Sequence, residues 1–271
     1  MKAEELRSLI KESLGKVAET RPLVHHLTNY VVMNVTANLT LCLGALPVMA
    51  HAREEVEEMT AHAQAVVINR GTPSPAWEES LLLAGRKAAQ LGKPVVLDPV
   101  GAGATSYRTR LARRLAEEIR PTVIRGNAAE ISSLLGLEGK IRGVESLSCP
   151  DDPVRLARNA AKELGCVVAV TGEKDVVSDG ERSYLVTNGH PMLGRITGTG
   201  CMATTTVAVL LCSGGPVLEL TAGALALFGL AGEEAARMAG ERPGTFQVEL
   251  IDSLHRLTGH IPAGRLLVEE S

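Results

Sequence analysis

The stretch Thr197-Gly198-Thr199-Gly200-Cys201 carries the clearest chemical signal in the chain, because it runs directly into an apolar segment that reads as a helix over 201–212. Two glycines let a backbone turn tightly and bring N–H groups close to a ligand. A helix start adds unpaired N–H donors and a positive dipole end. Together these suit an anion, phosphate above all, although the same turn can simply join two elements. Cys201 stands at the mouth of that helix. A thiol there can have a lowered pKa and act as a nucleophile, but no Cys-His-Asn arrangement is visible. The alternative is a small residue that fits the turn.

Other candidates fall at the ends of apolar runs. Asp98 follows Val95-Val96-Leu97 and precedes Pro99. A carboxylate there is costly unless it is paired or holds a cation; otherwise it caps the following loop. Glu130 lies one turn into a helix beginning near Asn127. It is either a capping carboxylate or, with Asp98, a water-mediated holder of Mg²⁺, which usually takes one or two carboxylates plus substrate phosphates. Arg125 is either a surface ion-pair partner or a phosphate clamp. Thr171, before Gly172-Glu173, can bond a phosphate or cap a turn. His25 and His26 lack a visible third metal ligand, so structural packing is the favoured reading. Met49 reads as a core residue, though methionine also moulds itself to small heteroaromatic ligands. The segment with Asn29, Asn34, Thr36, Asn38 and Thr40 is polar for a helix, which suggests a lined pocket, an interface or a solvated face.

These residues need positioning elements. Leu6, Leu9, Ile10, Leu14 and Val17 recur at helical spacing, so the N-terminal segment predicts an amphipathic helix and not a signal peptide. Short apolar runs then alternate with helical ones. Strands are expected at 23–27, 47–50, 65–69, 94–98, 122–125 and 166–171. Helices are expected at 31–44, 53–63, 75–92, 107–119, 128–136 and 153–165. Strands apolar on both faces indicate a parallel sheet covered by helices. Residues 176–187 read as a hairpin with an Asp-Gly turn, and 201–212, 217–239 and 245–258 as helices. Residues 137–152, around Lys140, are the most loop-like. The alternation gives a doubly wound α/β domain with a three-layer core, in which ligands bind beyond the carboxyl ends of the strands.

Composition narrows the function classes. Net charge is −3, which offers no nucleic-acid or membrane surface. Aromatics are 2% of residues, too few for base-stacking platforms. Five cysteines at irregular spacing, without CxxC, fit reduced thiols in a cytoplasmic protein better than disulfides or zinc.

The ordered set of motifs Leu27-Thr28-Asn29-Tyr30-Val31-Val32, Pro47-Val48-Met49-Ala50-His51-Ala52, Asn69 with Gly71-Thr72, Leu97-Asp98-Pro99-Val100-Gly101-Ala102, Arg125-Gly126-Asn127-Ala128-Ala129-Glu130-Ile131, Thr171-Gly172-Glu173 and Gly198-Thr199-Gly200-Cys201 resembles hydroxyethylthiazole kinase, of the ribokinase-like superfamily. The resemblance runs from about residue 20 to 260. It implies a three-layer α/β ribokinase-like fold over residues 1–271, with a mostly parallel central sheet and no separate lid domain. It implies transfer of the ATP γ-phosphoryl to the alcohol of 4-methyl-5-(2-hydroxyethyl)thiazole, in thiamine salvage. Met49, Gly198 and Asn29 would contact the thiazole, Arg125 and Thr171 the ATP phosphates, and Gly198, Thr199 and Gly200 would form the anion hole. Asp98 and Glu130 would organise Mg²⁺. Cys201 would occupy the place where most relatives in the superfamily carry an aspartate base, and would position the hydroxyl as at best a weak base. A homotrimer with active sites between subunits is also implied. Arg70 departs from the pattern, since the relatives carry an apolar residue there. Competing readings are a hydroxymethylpyrimidine or pyridoxal kinase, an ATP-dependent nicotinamide-nucleotide-hydrate dehydratase, and a non-catalytic nucleotide-binding protein.

Overall fold

A computed structural model describes residues 3–137 and 152–271, so most of the loop-like stretch around Lys140 lies outside it. Among the described residues, nine strands form one sheet, in the order β2-β1-β3-β4-β5-β6-β7-β8-β9. The strands are β1 (Leu23–Leu27), β2 (Leu46–Val48), β3 (Ala65–Asn69), β4 (Val95–Asp98), β5 (Val123–Asn127), β6 (Val167–Thr171), β7 (Asp175–Ser178), β8 (Ser183–Val186) and β9 (Val268–Glu270). Pairing is parallel from β2 through β6 and antiparallel from β6 to β9. The helices are α1 (Ala3–Thr20), α2 (Met33–Cys42), α3 (Val56–His62), α4 (Pro75–Gln90), α5 (Ser106–Ile119), α6 (Ala128–Leu134), α7 (Pro153–Leu164), α8 (Thr199–Leu211), α9 (Val217–Ala239) and α10 (Pro243–Gly259). No described helix is long and apolar enough to cross a membrane.

The three layers follow from alternation along the strands. Val67, Val96, Val123, Ala169 and Val177 point to one face, where they join residues of α1, α2, α8, α9 and α10. Val66, Ile68, Val95, Leu97, Ile124, Val168 and Val170 point to the other, against α4 to α7. Strands buried on both faces are the sequence pattern expected for a helix-covered parallel sheet.

Several boundaries differ from expectation. The second strand is Leu46–Val48, two residues short of the expected end at Ala50, and the last parallel-paired residue is Val48. Helix α8 starts at Thr199, two residues early, because Gly198 at φ +87° serves as its N-cap. A 3₁₀ turn over Pro191–Arg195 and the three-residue strand β9 were not expected. Both are too short to carry a period. The side chains of the polar helix α2 do not line either of the two cavities described below. Asn34 and Asn38 are exposed and bonded to each other at 3.1 Å, while Thr36 and Thr40 bond the carbonyls of the preceding turn. His25 and His26 are fully buried and structural: His25 bonds Thr60 Oγ1 (3.0 Å) and the Ala50 carbonyl (2.8 Å), and His26 bonds Thr40 Oγ1 (3.0 Å). Burial keeps both rings neutral, His25 pushed down to about 4 and His26 to about 3.

Two glycine substitutions separate packing from propensity. A Cβ at Gly229 in α9 would press on the Asn188 carbonyl, whereas Gly15 in α1 faces open space. Gly229→Ala is expected to cost about 1–3 kcal/mol and Gly15→Ala to stabilise by about 0.5–1 kcal/mol. Urea denaturation of both variants checks the signs.

Candidate active site

The same alternation builds the site. Asn69, Asp98, Arg125 and Thr171 stand two positions beyond Val67, Val96, Val123 and Ala169, so all four emerge at the carboxyl ends of adjacent strands on the α8 face. Register then places Asn69 beside Asp98 and Asn127 beside Thr171. Helix α8 begins over these residues. The first N–H bonded within it is that of Met202, to the Gly198 carbonyl at 2.9 Å, so the amides of Thr199, Gly200 and Cys201 precede the intrahelical ladder. Gly198 needs its positive φ, and a Cβ there would lie 2.7 Å from Val32 Cγ1. A Cβ at Gly200 would lie 2.5 Å from Arg125 Nη1, so a side chain there would have to displace the guanidinium.

Asp98 is 1% exposed. Its Oδ2 accepts from Asn69 Nδ2 (3.0 Å) and Thr204 Oγ1 (2.9 Å), with Arg125 Nη1 at 3.9 Å. Burial pushes its carboxyl up to about 6, against the pull of Arg125 and with the repulsion of Glu130. Glu130 takes the capping role. Its Oε2 accepts the Asn127 N–H (2.9 Å) in a capping box, and its Oε1 accepts the Gly101 N–H (2.8 Å). Arg125 has a buried Nε without a hydrogen-bond partner. Thr171 Oγ1 reaches the Gly126 carbonyl at 3.3 Å.

Cys201 corrects an expectation. Burial, and then the Asp98 charge, push its thiol up to about 12, not down, despite the helix start. Its Sγ accepts from Asn69 Nδ2 (3.1 Å) and lies 3.7 Å from Asn29 Nδ2. Asn69 also accepts from Asn29 Nδ2 (2.8 Å) and from the Gly71 N–H (3.1 Å). Asn69 and Thr204 were missed as site residues. The phase of Val67 would have pointed to Asn69, and a threonine run in an apolar helix to Thr204.

Two cavities flank this centre. One, of about 380 Å³, is lined by Asn29, Asp98, Glu130, Gly198 and Cys201 among others. The other, of about 780 Å³, lies over β6 to β8 and is lined by Thr171, Asn188, Leu225 and Phe228 among others. Arg125, Asn127 and Gly200 line both. Met49 is not brought into either cavity; it sits half-buried beyond β2, its carbonyl bonded to His51.

The fold is ribokinase-like. The solved structure of a ribokinase-like superfamily protein from Enterococcus faecalis V583 matches at a TM-score of 0.66 with 13% identity, covering 92% of this chain and 94% of that one. At that identity the likeness shows the fold. The model of the hydroxyethylthiazole kinase family matches residues 14–260, and the chain belongs to this family. It is similar to the hydroxyethylthiazole kinase of Roseiflexus sp. (strain RS-1), 52% identical over 94% of both chains. The same kinase of Methanocella arvoryzae is 50% identical over 90% of this chain and 92% of its own. The solved structure of hydroxyethylthiazole kinase from Pyrococcus horikoshii OT3 covers 97% of this chain and 99% of its own, at a TM-score of 0.87 and 46% identity.

A thiol held near 12 is almost wholly protonated at neutral pH. We expect iodoacetamide at pH 7.5 to alkylate Cys201 at least about a hundredfold more slowly than a free surface thiol. Peptide mass mapping over time reads this directly, and fast modification of Cys201 would contradict the site's electrostatics.

Proposed function

We propose that the chain transfers the γ-phosphoryl of ATP to the hydroxyl of 4-methyl-5-(2-hydroxyethyl)thiazole, a step of thiamine salvage. One observation carries this: the smaller and larger cavities meet at Arg125, Asn127 and Gly200, beneath the α8 amides. The smaller cavity takes the thiazole alcohol and the larger takes ATP. Met49 does not line the smaller cavity, so its contact with the thiazole is assigned from the family resemblance alone, through the loop beyond β2.

Phosphoryl transfer asks for positioning and charge stabilisation more than covalent chemistry. The amides of Thr199, Gly200 and Cys201 face the oxygens of the transferring group. Arg125 clamps the phosphates, with Thr171 beside it on the ATP side. Asn29 and Gly198 bound the alcohol. The substrate oxygen forms a bond to the γ-phosphorus as the bond to the β-phosphate oxygen breaks, and ADP leaves. Because the transition state is loose, the alcohol proton departs late, to an oxygen of the transferred phosphoryl or to water, and no strong base is needed. Cys201 therefore places the hydroxyl and does not ionise to attack. Mg²⁺, when bound, neutralises the triphosphate. Asp98 and Glu130 suit it, as two mutually repelling carboxylates on one cavity wall. No group of three or more acidic, histidine or cysteine ligands exists among the described residues, so phosphates and water would complete the shell. Glu130, already bonded to two amides, would act through water.

The family implies a homotrimer with shared sites. In support, β2 is a half-exposed sheet edge, and Tyr30, packed on Trp77, is 65% exposed. The free thiols of Cys42, Cys166, Cys201 and Cys212 fit a cytoplasmic setting.

Incubation with Mg-ATP and the thiazole alcohol is expected to yield the phosphate ester by mass, and EDTA to suppress it. Pyridoxal and hydroxymethylpyrimidine in the same assay should react far less; a preference for either would replace this reading. Arg125→Met should lower kcat/KM at least about a hundredfold, checked by coupled ADP detection.

A further inference from the structure

Arg70 is the largest fully buried side chain among the described residues. It follows Ile68 by two positions, so it leaves β3 on the face opposite Asn69, toward α5. Its Nη2 donates to the Pro99 carbonyl at 3.2 Å, while Nε and Nη1 have no partner. The nearby Tyr107 hydroxyl is also buried without one. Burial and the neighbouring Arg108 push the Arg70 guanidinium down to about 10, still cationic at neutral pH. A buried guanidinium with idle donors is a poor way to stabilise a fold. Its value has to lie in what it holds.

What it holds is the loop behind the acceptor cavity. Arg70 grips the Pro99 carbonyl, and Arg108 grips the Val100 carbonyl (3.2 Å) and the Gly71 carbonyl (2.9 Å). On the inner side, the Gly101 N–H donates to Glu130 Oε1 at 2.8 Å. The loop after Asp98 is thus strung between two arginines outside and a carboxylate inside. Gly71, Asp98, Val100 and Glu130 all line the acceptor cavity.

We propose that Arg70 is a positioning residue for phosphoryl transfer, fixing the Asp98–Gly101 loop through its carbonyls from behind the site, together with Arg108. This rests on the kinase reading above. It predicts that stability and activity separate. Arg70→Met removes the charge and the idle donors at similar length. The variant should melt at or above the wild-type temperature, because the buried unpartnered donors are gone. Its kcat should nevertheless fall at least about tenfold, since small misplacements are costly in transfer reactions, with the KM for ATP changed less than about threefold. Amides of residues 100–104 should exchange hydrogen faster, and Arg70→Lys should recover part of kcat. A variant with wild-type kcat and unchanged loop exchange overturns the proposal. So does one whose activity falls only in proportion to its folded fraction. Should Arg70→Met fail to fold, Arg70→Gln carries the same comparison, with wild-type kcat and loop exchange again overturning it. Failure of the wild type itself to make the ester would sink the kinase reading, while loop exchange in the variant still reports on positioning.

Discussion

The carboxamide of Asn69 is the joint on which the site depends. Its nitrogen donates to Asp98 Oδ2 and Cys201 Sγ, and its oxygen accepts from Asn29 and from the Gly71 amide. One side chain therefore couples four segments: the loop after β1, the turn after β3, the end of β4 and the start of α8. Only a group with two donors and two acceptor lone pairs meets all four demands. Without it, Asp98 and Cys201 would lose a common donor, and for the buried Asp98 carboxylate an unpaired oxygen is costly. The bond is possible because parallel pairing sets Asn69 beside Asp98.

The Cys201 thiol stays protonated against the pull of the Asn69 donor. Cys201 has the position of a reactive cysteine, at a helix start near donors. Burial and the adjacent carboxylate outweigh both influences. The result is a polarisable, neutral group with a fixed location, suited to holding an alcohol oxygen and ill suited to deprotonating it. In the proposed reaction, charge is supplied elsewhere, by Arg125 and the α8 amides.

Much of this was legible in the sequence, for physical reasons. Strands apolar on both faces, helices ending in glycine, and polar clusters after each strand revealed the layered fold and the end of the sheet that carries the site. Asp98, Glu130, Arg125, Thr171 and the turn from Gly198 were all found by where they interrupt apolar runs, and the structure brings them together. What escaped notice depended on phase or on distance in the chain. Asn69 was visible as polar but its face was not read, although Val67 two residues earlier sets it. Met49 matched a motif yet stays outside both cavities of the isolated chain. Arg70 stood out only as a departure, because nothing local says that its side chain will meet Pro99 across the sheet.

In the proposed reaction, transfer relies on positioning and fixed charge, with Cys201 placing the hydroxyl rather than removing its proton. The most direct measurement is the single-turnover rate of phosphate-ester formation by Cys201→Ala at saturating Mg-ATP and thiazole alcohol, with both ligands' binding measured separately. The account predicts a rate within about tenfold of wild type, since general-base removal costs about a hundredfold or more. A loss of about a thousandfold with binding intact would contradict it and make the thiol the base.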